Sequence, residues 1–413
     1  MSKNVYLDYA ATTPIDKQVL KSMLPFLKQN YGNASSLHTP GRKANQAVEK
    51  SRATIAHATG MQNKEVIFTS GATESNNLAI KGTFQALNAK FNSLKKLHFI
   101  TSNIEHHCVL DSFAYLKKKY PKNVEITYLP VNEKGLINPD ILAKALKKNT
   151  VLISIMMINN EIGTAQPLKK IAQIIKKQKK ARSQDQNPMP IYFHSDATQA
   201  PSYFSIQCSA YGLDLLTINA HKIYGPKGVG ALVIKKGVLI HAINHGGGHE
   251  FRKRSGTLNV PGIVGMGKAI ELAEKNRDKN IEKITKLRDY FLNQISQKLK
   301  RIKVNGSLKK RTPNNINISF LGVEGESLLL LLDKKGIYVS TGSACSSNSL
   351  QASHVQLALH NNHLRAHSSI RFTLGKFLLK SDLDYAVQEI SKAVNRLRKI
   401  SQGINQKSEC KKS

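Results

Sequence analysis

Two charged side chains, Asp196 and Lys222, each follow a short apolar run that is typical of a buried strand. A carboxylate in such a place is costly to bury unless it meets a cation, which could be an arginine or a protonated ring nitrogen. Burial lowers the pKa of a lysine amine, so that it can form a Schiff base with a carbonyl compound. Lys222 comes one strand after Asp196, which predicts that the two side chains lie near each other.

A third segment, residues 69–76, combines a glycine with small hydroxyl residues (Thr-Ser-Gly-Ala-Thr-Glu-Ser-Asn) directly after a predicted strand. A glycine turn that opens a helix offers free backbone N–H groups and the positive end of the helix dipole, which suit a phosphate group. An ordinary helix cap uses the same residue types. A lysine, an aspartate and a phosphate cradle together are what pyridoxal phosphate requires.

The next candidate is the run Glu105-His106-His107, which follows a predicted strand. A histidine there can move protons or stack on a flat ring, although a lone histidine is usually structural. A zinc site is disfavoured because adjacent histidines in a loop point in different directions and no second, spaced pair is present. No metal site is therefore expected.

Cys345 lies among small residues, Ser-Thr-Gly-Ser-Ala-Cys-Ser-Ser at 340–347, which predicts an exposed and flexible loop. A thiol in such a loop can act as a nucleophile, whereas a structural cysteine sits among bulky apolar neighbours. Cys108 and Cys208 fall in helical or loop segments and are predicted to be inert. Cys410 lies in a basic tail and is predicted to be solvated.

Arg371 stands in the middle of a predicted strand, between apolar residues. An arginine so placed usually pairs with a carboxylate, which either the protein or a ligand could supply.

The elements that must position these residues alternate between short apolar runs and helical periodicity. This alternation predicts a mostly parallel α/β sheet, in which ligands bind beyond the carboxyl ends of the strands. Beyond residue 262 the pattern changes to a long charged helix at 263–300, short strands at 315–320 and 370–373, and further helices. That change predicts a second, α+β domain. The strands predicted for the main sheet are 66–69, 97–101, 151–158, 191–194, 215–218 and 230–234.

The chain of 413 residues carries 62 Lys+Arg against 27 Asp+Glu, a formal net charge of +35. Such a charge first suggests nucleic acid. The basic residues are scattered, however, and without tryptophan the chain offers few aromatic side chains for stacking. The densest run, residues 169–182, has its isoleucines at helical spacing, which predicts an amphipathic helix with a solvated basic face. A solvated surface is therefore favoured over a nucleic-acid site.

Cysteine usage and the first residues of the chain bear on the compartment. Four cysteines in so long a chain do not form a disulfide framework, which indicates a reducing compartment. No apolar run approaches the roughly 20 residues that a membrane helix needs. The first six residues hold no apolar core of a secretory signal, so none is expected. A cytoplasmic location is therefore predicted, with an organelle as the alternative if a presequence has been removed.

Seven motifs, in order from about residue 5 to 395, resemble the cysteine desulfurases, which belong to the class-V aminotransferase group of fold-type I pyridoxal-phosphate enzymes. The iron–sulfur assembly and nitrogenase-type branch fits best, because it has a long catalytic-cysteine loop, here about 340–367. The motifs are residues 7–14, 69–76, 159–163, 196–199, 220–230, 254–257 and 342–346.

The resemblance implies a large cofactor-binding domain with a seven-stranded, mostly parallel sheet at 15–262. Residues 1–14 and 263–413 would form the small domain that carries the cysteine loop. It further implies a homodimer that converts L-cysteine to L-alanine. The sulfur would pass as a persulfide to an iron–sulfur scaffold or a sulfur carrier for tRNA thiolation.

The resemblance also implies the catalytic roles. Lys222 would form the Schiff base with pyridoxal 5'-phosphate, and its freed amine would take the substrate α-proton. His106 would stack on the ring and move protons, and Cys345 would attack the substrate sulfur. Arg371 would bind the substrate carboxylate, together with Asn33.

The remaining implied roles concern the cofactor. Asp196 would pair with the pyridinium nitrogen, and Asn160 and Gln199 would contact the ring hydroxyl. Thr257 would reach the phosphate of the other subunit. Asn219 stands where the family more often has serine, and its amide can still donate a hydrogen bond. The phosphate would be held by Ala72, Thr73 and His221.

Two other classes of function remain open. A selenocysteine lyase or a class-V aminotransferase would use the same cofactor, but Cys345 favours desulfuration because transamination needs no thiol. No motif separates cysteine from selenocysteine as substrate. A non-catalytic basic interaction protein on this scaffold is disfavoured because the whole set of candidate catalytic residues is present.

Overall fold

The computed structural model describes residues 3–91, 96–184, 188–341 and 352–409, with side chains as far as residue 402. Cys345, the motif at 342–346 and Cys410 lie outside the described residues.

The helices and strands follow one another as the sequence pattern predicts for an α/β protein. The strands are β1 Val5–Tyr6, β2 Val66–Thr69, β3 Leu97–Ser102, β4 Val124–Leu129, β5 Thr150–Ser154, β6 Tyr192–Asp196, β7 Leu215–Asn219, β8 Gly230–Ile234, β9 Ile302–Val304, β10 Asn315–Phe320, β11 Ile337–Tyr338 and β12 Ser369–Thr373. The helices are α1 Lys17–Lys28, α2 Thr39–Thr59, α3 Ala72–Asn77, α4 Thr83–Lys90, α5 His107–Lys119, α6 Pro139–Ala145, α7 Leu168–Arg182, α8 Cys208–Tyr211, α9 His249–Arg252, α10 Val260–Lys275, α11 Arg277–Lys298, α12 Gly325–Asp333, α13 His354–His360, α14 His363–His367 and α15 Lys380–Glu409.

Seven strands form the main sheet, in the order β2-β8-β7-β6-β5-β3-β4. β3, β4, β5, β6 and β7 run parallel to one another, and β8 runs antiparallel to both β2 and β7. The predicted mostly parallel sheet is confirmed. Helices cover both faces, so the central strands are buried throughout and read as continuous apolar runs.

The observed elements differ from the sequence prediction in extent and in number. β5 ends at Ser154, and residues 155–158 stay buried because they continue beneath a cavity at the edge of the sheet. β4 was not predicted, since it lies at the sheet edge with a half-exposed pattern. The predicted helix at 263–300 is two helices, α10 and α11. Asn276 leaves helical geometry between them, and its side-chain amide donates to the Leu272 carbonyl.

A second hydrophobic core surrounds the antiparallel sheet β12-β10-β9, against which α11, α12 and α15 pack. α10 contacts α1 and α2 in the core of the main sheet. The domain boundaries near 14 and 262 stay a prediction. Arg371 of β12 lies near the end of the main-sheet strand β5, since its side chain donates to the Asn160 carbonyl. The N-terminal segment that carries Asp8 runs beside β12.

None of the described helices is both long enough and apolar enough to cross a membrane.

Candidate active site

A cavity of about 540 Å³ opens beyond the carboxyl ends of the parallel strands. β3, β5, β6 and β7 each contribute residues that follow the strand, and β12 and the N-terminal segment close the far side. The predicted site residues that line the cavity are Ala72, Thr73, His106, Asn160, Asp196, Gln199, Asn219, His221, Lys222 and Arg371.

Two of the predicted residues that the structure describes are not in this lining. Asn33 is exposed, and its side-chain oxygen accepts the Ser35 N–H at 2.9 Å. Thr257 is exposed as well. Cys345 lies outside the described residues.

Asp196 ends β6 with only 6% of its surface exposed. Its two carboxylate oxygens accept hydrogen bonds from the Asn76 side chain at 2.7 Å and from the Thr198 N–H at 3.0 Å. The role of Asn76 is not evident from the motifs. The one signal in the sequence is its spacing, because a residue three positions after Thr73 lies on the same face of a helix.

His106 caps the N-terminus of α5, where its Nδ1 accepts the Cys108 N–H at 3.2 Å. Burial lowers the pKa of His106 to about 4, and the positive charge of Lys222 acts in the same direction. The ring is therefore neutral at pH 7, and because Nδ1 accepts, the proton is assigned to Nε2.

Cys108 also lines the cavity, which the sequence did not indicate. Burial, together with the nearby negative charge of Asp196, raises the pKa of its thiol to about 12. The thiol is protonated at neutral pH, which is the state of an unreactive cysteine.

Lys222 belongs to a tight turn after β7 that the N-terminal segment holds in place. Thr13 donates to the His221 carbonyl through both its N–H and its hydroxyl, each at 2.9 Å, and its hydroxyl accepts the Tyr224 N–H at 2.8 Å. Tyr224 has a left-handed backbone, with φ of 65°. Such a conformation is costly for a residue other than glycine and persists only where its surroundings enforce it. The backbone of Lys222 is thus fixed from two sides.

The glycine turn after β2 forms the opposite wall. Glu74 accepts the Ser70 N–H at 2.7 Å, and Gly71 precedes the first residue of α3. A Cβ added to Gly71 would meet no atom within 4 Å, so this wall is open towards the cavity. A Cβ on Gly230 would lie 2.8 Å from the Gly71 Cα, which explains why β8 has glycine where it passes the turn.

Arg371 is 4% exposed and held at two of its three nitrogens. Nη2 donates to Asp8 at 2.7 Å, and Nη1 donates to the Asn160 carbonyl at 2.9 Å. Its Nε is buried without a hydrogen-bond partner among the described residues. A buried donor of this kind is costly unless a ligand supplies an acceptor.

These residues fit pyridoxal phosphate. The cavity combines a buried carboxylate, a lysine, a neutral histidine and a turn that can offer backbone N–H groups to a phosphate. Asn219 adds a buried side-chain oxygen that has no hydrogen-bond partner among the described residues.

Residues 5–385 match the aminotransferase class-V family. The chain belongs to that family. A cysteine desulfurase IscS from Dictyoglomus turgidum is 51% identical over 401 residues, which cover 97% of each chain. The solved structure of a NifS-like protein superimposes with a TM-score of 0.85 at 34% identity, covering 95% of this chain and 100% of the other.

A third similar protein was solved as SspA in complex with cysteine. It is 32% identical, with a TM-score of 0.75, and the match covers 91% of this chain and 100% of that one. Together these relatives place the chain among the cysteine desulfurases, which depend on pyridoxal phosphate. The predicted family, fold and cofactor are confirmed.

Proposed function

We propose that this protein removes sulfur from L-cysteine, leaving L-alanine and a persulfide on Cys345. The observation that carries the proposal is the meeting of Asp196, His106, Lys222 and Arg371 in one cavity, each delivered by a different element. The similarity to SspA, a protein solved with cysteine bound, supports L-cysteine as the substrate.

Pyridoxal phosphate, when bound, supplies an electron-withdrawing ring that stabilises negative charge at the substrate α-carbon. Lys222 would hold it covalently, and Asp196 would keep its ring nitrogen protonated. Because Asn76 and Thr198 already bond to Asp196, its carboxylate is fixed before the cofactor arrives. Ala72, Thr73, Asn219 and His221 would surround the phosphate, with Asn160 and Gln199 near the ring hydroxyl.

Arg371 is placed to bind the substrate carboxylate. The ion pair with Asp8 and the bond to the Asn160 carbonyl orient its guanidinium group, and the Nε donor is left for a ligand. Asn33, which is exposed, would have to approach from its loop to share this role.

The side chains that transfer protons in this proposal are Lys222 and His106. The Lys222 amine, once the substrate amine has replaced it, takes the α-proton. His106 is neutral at pH 7 with its proton assigned to Nε2, so that atom can donate a hydrogen bond, and the ring passes on a proton only after it has first taken one up.

The sulfur step forms one bond and breaks one. The Cys345 thiolate attacks the substrate sulfur, an S–S bond forms on Cys345, and the bond from sulfur to the substrate β-carbon breaks. The electron pair of that broken bond stays with the β-carbon, which is protonated to give alanine. Atoms balance, because one thiol and one cysteine become one persulfide and one alanine.

The assembly and cellular role are part of the same proposal. The protein acts as a homodimer in the cytoplasm, with Thr257 of one subunit at the cofactor phosphate of the other. The exposure of Thr257, outside its own cavity, supports this arrangement. The persulfide sulfur passes to an iron–sulfur scaffold or a sulfur carrier for tRNA thiolation.

Sulfide release from L-cysteine in the presence of a reductant tests the proposal. We expect Cys345→Ala to abolish release while retaining the visible absorption of the lysine-bound cofactor. Lys222→Ala should lose both the release and that absorption band. The matched control is Cys208→Ala, which removes a buried thiol outside the cavity. Undiminished release by Cys345→Ala would place the nucleophile elsewhere.

A further inference from the structure

A strap formed by residues 250–254 lies outside the cavity, yet it contacts both the strand that leads to the glycine turn and the turn itself. Glu250, Phe251 and Arg252 have consecutive left-handed φ values of 47°, 55° and 62°. Such a conformation is costly for a residue other than glycine and persists only where other contacts enforce it. Three such residues in succession indicate that contacts with other parts of the protein hold the strap in this conformation.

The first anchor of the strap is a buried ion pair between Glu250 and Arg52, whose side chains are 1% and 3% exposed. Two hydrogen bonds of 2.8 and 2.9 Å join them, and the guanidinium carbon lies 4.7 Å from the centre of the Phe68 ring and 5.2 Å from that of the Phe251 ring. This bidentate geometry fixes orientation as well as distance.

The same pair completes the open edge of β2, the outermost strand of the main sheet. Glu250 accepts the Phe68 N–H at 2.6 Å, and Arg52 donates to the Val66 carbonyl at 2.7 Å. These are the groups that a further strand would otherwise bond. The strap therefore fixes β2 within a few residues of the glycine turn that starts at Ser70.

The second anchor reaches the turn directly. Arg254 donates to Glu74 from Nε at 2.8 Å, and the other oxygen of Glu74 accepts the Ser70 N–H at 2.7 Å. Burial of Glu74 opposes its ionisation, but the hydrogen bonds from Arg254 and Ser70 outweigh burial and lower its pKa. Glu74 also lines the cavity, so a chain of contacts runs from the strap to the wall assigned to the phosphate.

We propose that Glu250 and Arg254 are positioning residues that set the geometry of the phosphate-binding turn. Glu250 fixes the strand, and Arg254 fixes the turn through Glu74. The inference rests on the proposed cofactor site but not on the sulfur chemistry.

The test titrates cofactor-free protein with pyridoxal 5'-phosphate and, separately, with pyridoxal, which lacks the phosphate. For Arg254→Met we expect the Kd for pyridoxal 5'-phosphate to rise about tenfold, the scale of one charge-assisted hydrogen bond. The Kd for pyridoxal should stay unchanged. Arg252→Met is the matched control, because it removes the same charge from an exposed position in the strap. It should bind both ligands like the wild type.

A second variant separates positioning from simple charge attraction. Glu74→Gln removes a negative charge near the phosphate, so attraction alone would strengthen binding of pyridoxal 5'-phosphate. Positioning instead requires weaker binding, because the glutamine amide has a single acceptor oxygen and cannot accept from both Arg254 and Ser70. Stronger binding by Glu74→Gln, or equal losses for both ligands in Arg254→Met, would overturn the inference. If the wild type itself failed to bind the cofactor, the proposed function would fail instead.

Discussion

At the scale of single residues, the cavity is organised around Asp196. The carboxylate is buried, and the two groups that bond to it are neutral donors, the Asn76 amide and the Thr198 N–H. A buried carboxylate without a full counter-charge favours a nearby cation. The protonated ring nitrogen of the cofactor is the cation that the proposal places there.

Replacing Asp196 with asparagine should preserve shape but remove the charge that keeps the ring nitrogen protonated. We expect kcat for alanine formation to fall by about 100-fold, the scale of a lost electrostatic contact in an active site. The lysine-bound absorption band should remain. The control is Asp214→Asn, which changes another buried aspartate that pairs with Lys179 away from the cavity. A variant Asp196→Asn with wild-type kcat would contradict the role given to this carboxylate.

At the scale of elements, Glu105 joins the ends of two strands beneath the cavity. Its carboxyl group accepts a hydrogen bond from the hydroxyl of Ser102, the last residue of β3, at 2.5 Å, and from the N–H of Met156, after β5, at 2.9 Å. Burial raises the pKa of Glu105 from its usual 4.5 to about 8, although both hydrogen bonds oppose the shift. The folded protein therefore favours the protonated side chain at neutral pH.

The sign of the resulting pH dependence follows from linkage. A carboxyl group with a raised pKa in the folded state contributes stability below about pH 4.5, and this contribution is lost as the pH rises towards 8. Glu105→Gln cannot titrate. Between pH 5 and pH 8, the urea midpoint of the wild type should therefore fall relative to that of the variant. Glu133→Gln, at an exposed position, should follow the wild type. Parallel curves for wild type and Glu105→Gln would refute the assignment.

The helices and strands also show which features of the fold can be predicted from the sequence. Asp196 and Lys222 could be placed at strand ends because the runs before them are continuously apolar, which is the pattern of a strand buried on both faces. β4 escaped prediction because its edge position leaves a half-exposed pattern. The break at Asn276 escaped because asparagine is tolerated inside many helices, and only its bond to Leu272 reveals the cap.

Contacts between segments that are far apart in the sequence could not be predicted from it. The ion pair of Arg371 with Asp8 joins positions 363 residues apart, and nothing local in the sequence selects one aspartate among many. The bond from Asn76 to Asp196 is of the same kind. The site residues were proposed from motifs, but the groups that orient them became visible only in the folded chain.

At the scale of the whole molecule, most of the described basic residues that give the net charge of +35 lie away from the active-site cavity. The basic run at 169–182 forms α7, with Leu168, Ile171 and Ile175 buried and its lysines mostly at the surface, as the spacing predicted. None of its residues lines the active-site cavity. A surface of this sign attracts acidic partners at a distance.

We therefore expect the rate of sulfur transfer to an acidic acceptor protein to fall steeply as salt rises from about 0.05 to 0.5 M, because screening shortens the reach of the field. Alanine formation without an acceptor, with a small neutral reductant, should change little over the same range. Stopped-flow measurement of both rates separates them. A transfer rate independent of salt would remove the steering role of the surface.

The central claim is that the cavity around Asp196, Lys222 and Arg371 converts L-cysteine to alanine and transferable sulfur. The most direct measurement quantifies alanine and sulfide together from the cofactor-loaded protein given L-cysteine, a reductant and no keto acid. We predict equal amounts of the two products over many turnovers, and neither product from Lys222→Ala. Pyruvate in place of alanine, or turnover only when a keto acid is added, would contradict the account and indicate a different reaction in the same cavity.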